Sequence, residues 1–353
     1  MNKNIKQKII GSILGFSIGD SLGYPGAGIS EKDFLKLNNG PIKKFSQNKI
    51  HPLFFKLNRG QFTDNTRLFI LTINSLIKNS GFSQKDIIER LKKWGKLCQI
   101  NPNFERWPGK TSLKASIALL NGEKHFNSGD QNTNSCACIY RTLPIGIFFY
   151  EKNSKIIANY SNKCASYTHN SPVSRGGSIF TSICISKIIK GNNVVKSFSD
   201  SLLITQKITK KYNHDKNLKK LFNKIKWSLN NYEKHNIPTA KKILGTGSST
   251  LQTLPLSIFI CLQAKNFNNG VLNAANSLRK DSKKEKQKLS KFGWTQQLLE
   301  CIGGNSDGIG AICGCILGSY YGFNKIPNKY KKIEDYSKLI KLGSLLIKKL
   351  NDK

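Results

Sequence analysis

The chain has 353 residues, of which 38% are hydrophobic and 10% aromatic, so it can bury a substantial core and does not have the composition of a disordered protein. Its formal net charge of +37 comes mostly from lysines spread along the whole chain, which indicates a solvated basic surface. A dedicated nucleic-acid site would use more arginine, because the planar guanidinium grips phosphates and bases bidentately, and a nucleic-acid binder therefore ranks last among the functions weighed here.

Cysteine spacing and hydropathy indicate the cellular setting. None of the nine cysteines forms a C-x-x-C pair, which gives zinc and thiol redox chemistry little support. The basic residues 1–8 precede an apolar run, but Gly11 and Gly15 interrupt that run and no small-residue cleavage site follows. No stretch approaches the ~20 apolar residues of a membrane span. We expect a reduced, soluble, cytoplasmic protein.

Apolar residues recur at helical spacing along most of the chain, and alternation typical of strands is scarce. The pattern predicts helices over residues 5–22, 66–78, 84–97, 112–120, 178–190, 217–227, 251–262, 308–321 and 336–350. Residues 279–291 are highly charged and have no apolar face, which predicts a surface insertion, and the last helix would close the bundle. Because no linker divides the sequence, we expect one all-α domain over residues 1–353.

Two of the predicted helices carry glycines at every fourth position. Residues four apart share one helix face, so each stripe makes a groove without side chains in which another backbone can lie close. Since glycine costs about 1 kcal/mol relative to alanine inside a helix, a strict stripe needs a structural reason, and close helix packing is the interpretation that we adopt. The glycines are Gly11, Gly15, Gly19 and Gly23 in the first stripe, and Gly310, Gly314, Gly318 and Gly322 in the second.

Clusters of oxygen-bearing side chains precede two of these helices. Thr63, Asp64 and Asn65 stand at the start of one, and Asn305 and Asp307 at the start of the other. Such residues are typical helix caps, and two capped helices would explain them. They are also the hard oxygen ligands that Mg²⁺ and Ca²⁺ prefer, so a cation site shared between two helix starts is the alternative.

Several motifs, in order along residues 9–327, resemble the ADP-ribosylglycohydrolase family. The glycine-rich segment 9–25 resembles the N-terminal helix of that family, and residues 63–66 resemble its Thr-Asp-Asp-Thr motif. Residues 108–111 resemble a Pro-Gly-x-Thr turn, and residues 134–146, with Arg141 and Pro144, a Met-Arg-x-x-Pro block. Thr168 and His169 match a Thr-His pair, residues 245–255 a glycine-rich loop, and residues 303–322 a Gly-Gly-Asp-x-Asp-Thr block. His169 could face a cleft, although a structural role is more common for a lone histidine.

The resemblance implies an orthogonal helical bundle with a cleft that holds two Mg²⁺ ions and hydrolyses the bond between ADP-ribose and an acceptor. The ligands implied here are Thr63, Asp64, Asn65, Asn305 and Asp307, and the catalytic candidates are Asp64, Asp307 and Glu31. The glycine-rich loop would bind the diphosphate through backbone N–H groups, with Gly245, Gly247, Ser248 and Ser249 as the cofactor-binding candidates.

The chain departs from the family pattern at four positions. Asn65 and Asn305 stand where the family has Asp, and Gly308 where it has Thr. An acidic residue of the family falls near Ala27, with Glu31 as the nearest replacement. Each Asn keeps a carbonyl oxygen but removes a negative charge, so we expect at most one tightly held Mg²⁺.

Three functions follow, in this order. The first is a working Mg²⁺-dependent hydrolase that cleaves the N- or O-glycosidic bond between ADP-ribose and a protein or small acceptor, and the altered positions leave open whether its turnover is impaired. The second is a catalytically inactive ADP-ribose- or nucleotide-binding pseudoenzyme, and the third is a lysine-rich nucleic-acid-binding protein. No Walker lysine follows the glycine-rich loop, which excludes a P-loop motif.

Overall fold

The computed structural model describes residues 1–47, 57–101, 106, 108–279 and 304–352. Within these ranges the chain forms fifteen α-helices and no strand. The helices are α1 Lys3–Gly23, α2 Glu31–Leu37, α3 Asp64–Lys78, α4 Gln84–Ile100, α5 Lys110–Leu120, α6 Ala137–Phe148, α7 Ser154–Ser166, α8 Pro172–Ile189, α9 Val194–Ile208, α10 Lys216–Asn231, α11 Ile237–Leu244, α12 Thr250–Gln263, α13 Phe267–Ala275, α14 Ser306–Tyr321 and α15 Tyr336–Asn351.

Every helix predicted from apolar spacing is present, which confirms the all-α fold class. The periodicity missed α2, α6, α7, α9, α11 and α13. Helix α6 was missed because all but one of its residues are buried, so it has no polar face to produce a periodic pattern. Apart from Arg279, the predicted surface insertion at 279–291 lies outside the described residues.

Helices α1 and α14 form the most extensive helix pair of the fold. Their glycine stripes face one another, because a Cβ added at Gly15 would overlap the carbonyl group of Gly314, and one added at Gly19 would overlap that of Gly310. The two backbones therefore touch along several turns, which confirms the prediction of close helix packing. Fifteen of the twenty-one residues of α1 are buried, so this pair lies in the core.

The remaining helices surround this pair. Helices α12 and α13 pack against α14, α15 packs against α1, and α3 packs against α6. None of the helices in the described ranges is long and apolar enough to cross a membrane. The arrangement brings the starts of α3, α5, α6 and α14 to one side of the central pair, where they line a common cleft.

Candidate functional site

The starts of α3 and α14 meet, although 242 residues separate the two side chains that join them. Asn65 Nδ2 donates a hydrogen bond of 3.0 Å to Asp307 Oδ2. Thr63 is the N-cap of α3, where its hydroxyl accepts the Asn65 N–H at 3.2 Å, and Asn305 occupies the N-cap of α14 without a side-chain capping bond. The oxygen-bearing cluster at the start of α3 thus caps its own helix. It also contacts the cluster at the start of α14.

These helix starts line a cleft of about 410 Å³. Its walls include Asp64 and Asn65 from α3 and Asn305 and Asp307 from the start of α14, with residues 27–28 beside them. Residues at the starts of α5 and α6, together with Ser248 and Gly304, form the rest of the lining. The Gly109 N–H at the start of α5 donates to Asp64 Oδ2 at 3.1 Å, which fixes that carboxylate against the neighbouring helix.

Asp20 of α1 anchors the cleft from below and is fully buried. Its two carboxylate oxygens accept hydrogen bonds from the backbone N–H and the hydroxyl of both Thr63 and Thr66, at distances from 2.6 to 3.2 Å. Asn65 Nδ2 lies 3.4 Å from the same carboxylate. Asp20 therefore ties the start of α3 to the central helix and holds the Thr63–Thr66 turn in place.

Two buried carboxyl groups lie close enough to affect each other. Burial, followed by the charge of Asp307, raises the pKa of Asp20 from 3.8 to about 7, against the opposing effect of its hydrogen bonds from Thr66 and Thr63. Burial also raises the pKa of Asp307, opposed by hydrogen bonds from backbone N–H groups at the start of α14 and from Asn65. The ionised carboxylates of Asp20 and Asp307 are therefore destabilised by burial, which favours a proton or a nearby cation.

The predicted glycine-rich loop lies only partly on the cleft. Gly245, at φ +84°, ends α11, and Ser249 caps α12 by accepting the Leu251 N–H. The Gly247 N–H donates to Gln252 Oε1 at 2.7 Å, so this donor is already used within the protein. Of the four predicted cofactor-binding residues, only Ser248 lines the cleft.

Glu31 lies at the start of α2 and is not part of the described cleft lining. Its carboxylate forms an ion pair of 2.7 Å with Lys241 Nζ, and its side chain is 24% exposed. Ala27, which stands near the family's acidic position, does line the cleft. The structure therefore places an apolar residue at that wall and directs the nearest carboxylate to a lysine.

Arg141 and His169 lie beneath the cleft and are fully buried. Arg141 donates to the hydroxyls of Ser112, at 3.3 Å, and Thr168, and the Thr168 hydroxyl also contacts His169 Nδ1 at 2.7 Å. Burial and the nearby Arg141 charge hold the pKa of His169 well below its usual value, so the ring is neutral. Since Ser112 lines the cleft, these residues support its wall from the inside.

Sequence reasoning missed Asp20, Cys136, Tyr140 and Thr253 as residues of the site. Asp20 carried a usable signal, because it is the only acidic residue within the glycine-striped α1 helix and lies among apolar neighbours. The others gave no signal, since thiol, phenol and hydroxyl groups inside apolar helices are usually packing residues.

The cleft carries oxygen donors of the kind that a hard divalent cation prefers. Asp64 and Asp307 bring carboxylates and Asn65 and Asn305 bring amides to its lining, while the Thr63 hydroxyl beside them donates to Asp20. Within the described part of the chain, no group of three or more His, Cys, Asp and Glu side chains is arranged to hold a metal. In the present arrangement Asn65 also turns its amide nitrogen, not its oxygen, toward Asp307.

Comparison with known proteins identifies a family and several relatives. The family model for ADP-ribosylglycohydrolase matches residues 1–353. An uncharacterised protein of Archaeoglobus fulgidus is 26% identical over 326 residues, covering 92% of this chain and 91% of that protein. The ADP-ribosylarginine hydrolase Tri1 of Serratia proteamaculans is 22% identical, covering 92% of this chain and 74% of its own length.

A solved structure described as an ADP-ribosylglycohydrolase-related protein complex shares the fold. It superposes with a TM-score of 0.69 at 17% identity, covering 98% of this chain and 99% of that one. The resemblance of the sequence blocks, the meeting of the two helix starts and the match over the full length lead to one assignment. The chain belongs to the ADP-ribosylglycohydrolase family.

Proposed function

We propose that the protein binds ADP-ribosylated proteins or small ADP-ribose conjugates in this cleft and slowly hydrolyses the N- or O-glycosidic bond, with one Mg²⁺ bound. The observation that carries the proposal is the Asn65–Asp307 hydrogen bond, which joins two helix starts distant in sequence beside a cleft of about 410 Å³ that both Asp64 and Asp307 line. Membership of a family of hydrolases supports the reaction class.

The diphosphate of ADP-ribose would find its partners at the starts of α5 and α6. The N-cap residues of these helices, Gly109 and Cys136, make no side-chain capping bond, and both line the cleft. A helix start carries a partial positive charge and N–H groups directed outward, which suits a phosphate. Lys110 adds a full positive charge at the same wall. We therefore place the diphosphate here, with Ser248 as the contact from the glycine-rich loop.

The cation would be held by Asp64 and Asp307, with Thr63, Asn65 and Asn305 as the neutral oxygen donors. A bound Mg²⁺ would supply positive charge that polarises and positions ribose hydroxyls and a water molecule. Burial raises the pKa of Asp307, and the positive charge of a bound Mg²⁺ would oppose this by favouring the ionised carboxylate that serves as its ligand. Asp64 is held by the Gly109 N–H and is our candidate for orienting the water.

Slow turnover follows from the altered positions. Ala27 brings no carboxylate to the cleft wall, and Glu31 is engaged by Lys241. A missing general acid or base typically lowers a rate by ~10² to 10⁴. These same observations favour the second candidate function, an ADP-ribose-binding pseudoenzyme without turnover.

One assay separates the two functions. Peptides ADP-ribosylated on arginine or serine are incubated with the protein, with and without Mg²⁺, and free ADP-ribose and bound conjugate are both measured. Mg²⁺-dependent release that is lost in Asp64→Asn and Asp307→Asn supports the hydrolase, and binding without release supports the pseudoenzyme. Glu123→Gln, a change at an exposed carboxylate, serves as the matched control. Absence of both binding and release would refute the proposal.

A further inference from the structure

A cluster of four uncharged side chains lies at the start of α14, beside the cleft. Asn305 Nδ2 donates to Thr253 Oγ1 at 2.9 Å and lies 3.5 Å from both the Tyr140 hydroxyl and Cys136 Sγ. The Tyr140 hydroxyl and Cys136 Sγ are 3.3 Å apart. We call Cys136, Tyr140, Thr253 and Asn305 the neutral cluster.

The neutral cluster is fixed in position by the core. Cys136 and Tyr140 are 2% exposed and Thr253 is fully buried. The Tyr140 ring packs edge-on against Phe16 of the central α1 helix, with ring centroids 5.9 Å apart. Because the ring is rigid and enclosed, the hydroxyl cannot swing away without disturbing the core.

Gly308 depends on this cluster. A Cβ added at Gly308 would lie well inside 3 Å of both the Tyr140 hydroxyl and Asn305 Nδ2, and 2.9 Å from Asn305 Cγ. Real Cβ atoms essentially never approach other atoms so closely, so a side chain at position 308 requires both groups to move. The end of the Asn305 side chain can shift, whereas the enclosed Tyr140 ring cannot, so Tyr140 is the main packing reason for the absence of a side chain at position 308.

We infer that the Tyr140 hydroxyl takes the place of the second cation of the family pattern, so that the cleft admits one cation only. The amide nitrogen of Asn305 is committed to Thr253, and Gly308 can offer no ligand atom from a side chain. Asp307 is the carboxylate whose charge reaches Tyr140 and Cys136, and in the proposed site it already serves the first cation, so a second divalent cation beside the neutral cluster would lie mostly among neutral groups. The inference rests on the proposed function only in assuming that the Asp64 and Asp307 half binds a cation.

It follows that restoring the ligands alone will not restore the second site. An Asp at position 305 would place a carboxylate among a thiol, a phenol and a hydroxyl, and a Thr at position 308 would collide with the phenol. Removal of the Tyr140 hydroxyl has to accompany both changes. Tyr140 is therefore a positioning residue that sets how many cations the cleft holds.

A double-mutant cycle tests the packing part without any metal. Urea unfolding is measured in EDTA for Gly308→Ala, Tyr140→Phe and the double variant. We expect Gly308→Ala to raise the unfolding equilibrium constant ~100-fold in the native background but less than ~10-fold in the Tyr140→Phe background, since residues in contact couple strongly. Gly310→Ala is the matched control, because its added Cβ would meet the backbone of Gly19 and not Tyr140, so its effect should add to that of Tyr140→Phe. Additive effects for Gly308→Ala would overturn the inference.

Calorimetric titration with Mg²⁺ tests the cation part. We expect one site in the native protein, one in the Asn305→Asp, Gly308→Thr variant, and a second only when Tyr140→Phe is added. Two sites in the native protein, or a second site gained without changing Tyr140, would contradict the inference. If no variant binds Mg²⁺, the proposed function loses its cation, and the unfolding cycle still decides whether Tyr140 excludes a side chain at position 308.

Discussion

The central helix pair gives the sharpest prediction, for Gly15→Ala in α1. The added methyl group would overlap the Gly314 carbonyl oxygen and lie 2.8 Å from its carbonyl carbon, where an ordinary contact begins at 3.4 Å. Both atoms belong to backbone in the middle of a helix, so the two helices must separate by about half an ångström or more. A gap of that size forfeits a quarter to a half of each dispersion contact along the interface. Overpacking of a core typically costs ~1 to 3 kcal/mol, and a backbone that cannot yield places this case at the upper end.

Alanine also gains ~1 kcal/mol over glycine in a helix interior, which offsets part of that cost. We therefore expect Gly15→Ala to lower the free energy of unfolding by about 2 kcal/mol, measured by urea denaturation followed by circular dichroism. Gly343→Ala in α15 is the matched control, since its Cβ would meet only side-chain and Cα atoms of α1 at 3.1 Å or more. It should change stability by less than ~1 kcal/mol. A Gly15→Ala protein as stable as the native one would refute the packing argument.

Three further predictions concern the cleft. Asp307→Asn should stabilise the protein by about 1 kcal/mol more at pH 8 than at pH 5. Burial and, to a lesser extent, the Asp307 charge raise the pKa of Asp20 from 3.8 to about 7, so the folded protein loses stability as the pH rises through this range, and removing the Asp307 charge returns part of it. Urea unfolding in EDTA at both pH values measures this, and a larger gain at pH 5 would contradict it. Asp20→Ala should cost more than ~3 kcal/mol, since it leaves buried N–H and hydroxyl donors without their acceptor, and a thermal shift of less than a degree would count against it. Ala27→Glu should raise ADP-ribose release at least ~10-fold, because it returns a carboxylate to the cleft wall. Glu31→Gln should change release less than ~2-fold, because it only weakens the ion pair with Lys241. Equal release rates for Ala27→Glu and the native protein would contradict the prediction.

Much of the fold could be predicted because the contact between its two central helices has a clear sequence pattern. Glycines at every fourth position in two helices imply that two backbones touch, and the Gly15 and Gly314 faces do so. From the residues alone the two oxygen clusters could be either independent helix caps or partners in one site, and the family resemblance is what favoured partners. Helix starts 242 residues apart give no local signal that they meet, and the Asn65–Asp307 hydrogen bond is a product of tertiary packing.

Other features depended on three-dimensional context. No spacing rule connects Tyr140 to Gly308, because their contact arises from the packing of α6 against the start of α14. The Gly247 backbone N–H likewise donates to the Gln252 side chain, so a donor that the sequence alone suggests is available to a ligand is already used. The residues that decide cation number and ligand contacts are therefore those with the weakest sequence signals.

The most direct test of the account is whether ADP-ribose occupies the cleft at the starts of α3, α5, α6 and α14. Calorimetric titration of ADP-ribose in the presence of Mg²⁺ is performed on the native protein and on Ala137→Trp, whose indole would fill the cleft at the start of α6. Val195→Trp, at a residue that is 42% exposed on α9, is the control. The account predicts one binding event in the native protein and in Val195→Trp, and none in Ala137→Trp. Unchanged affinity in Ala137→Trp, or no binding by the native protein, would contradict it.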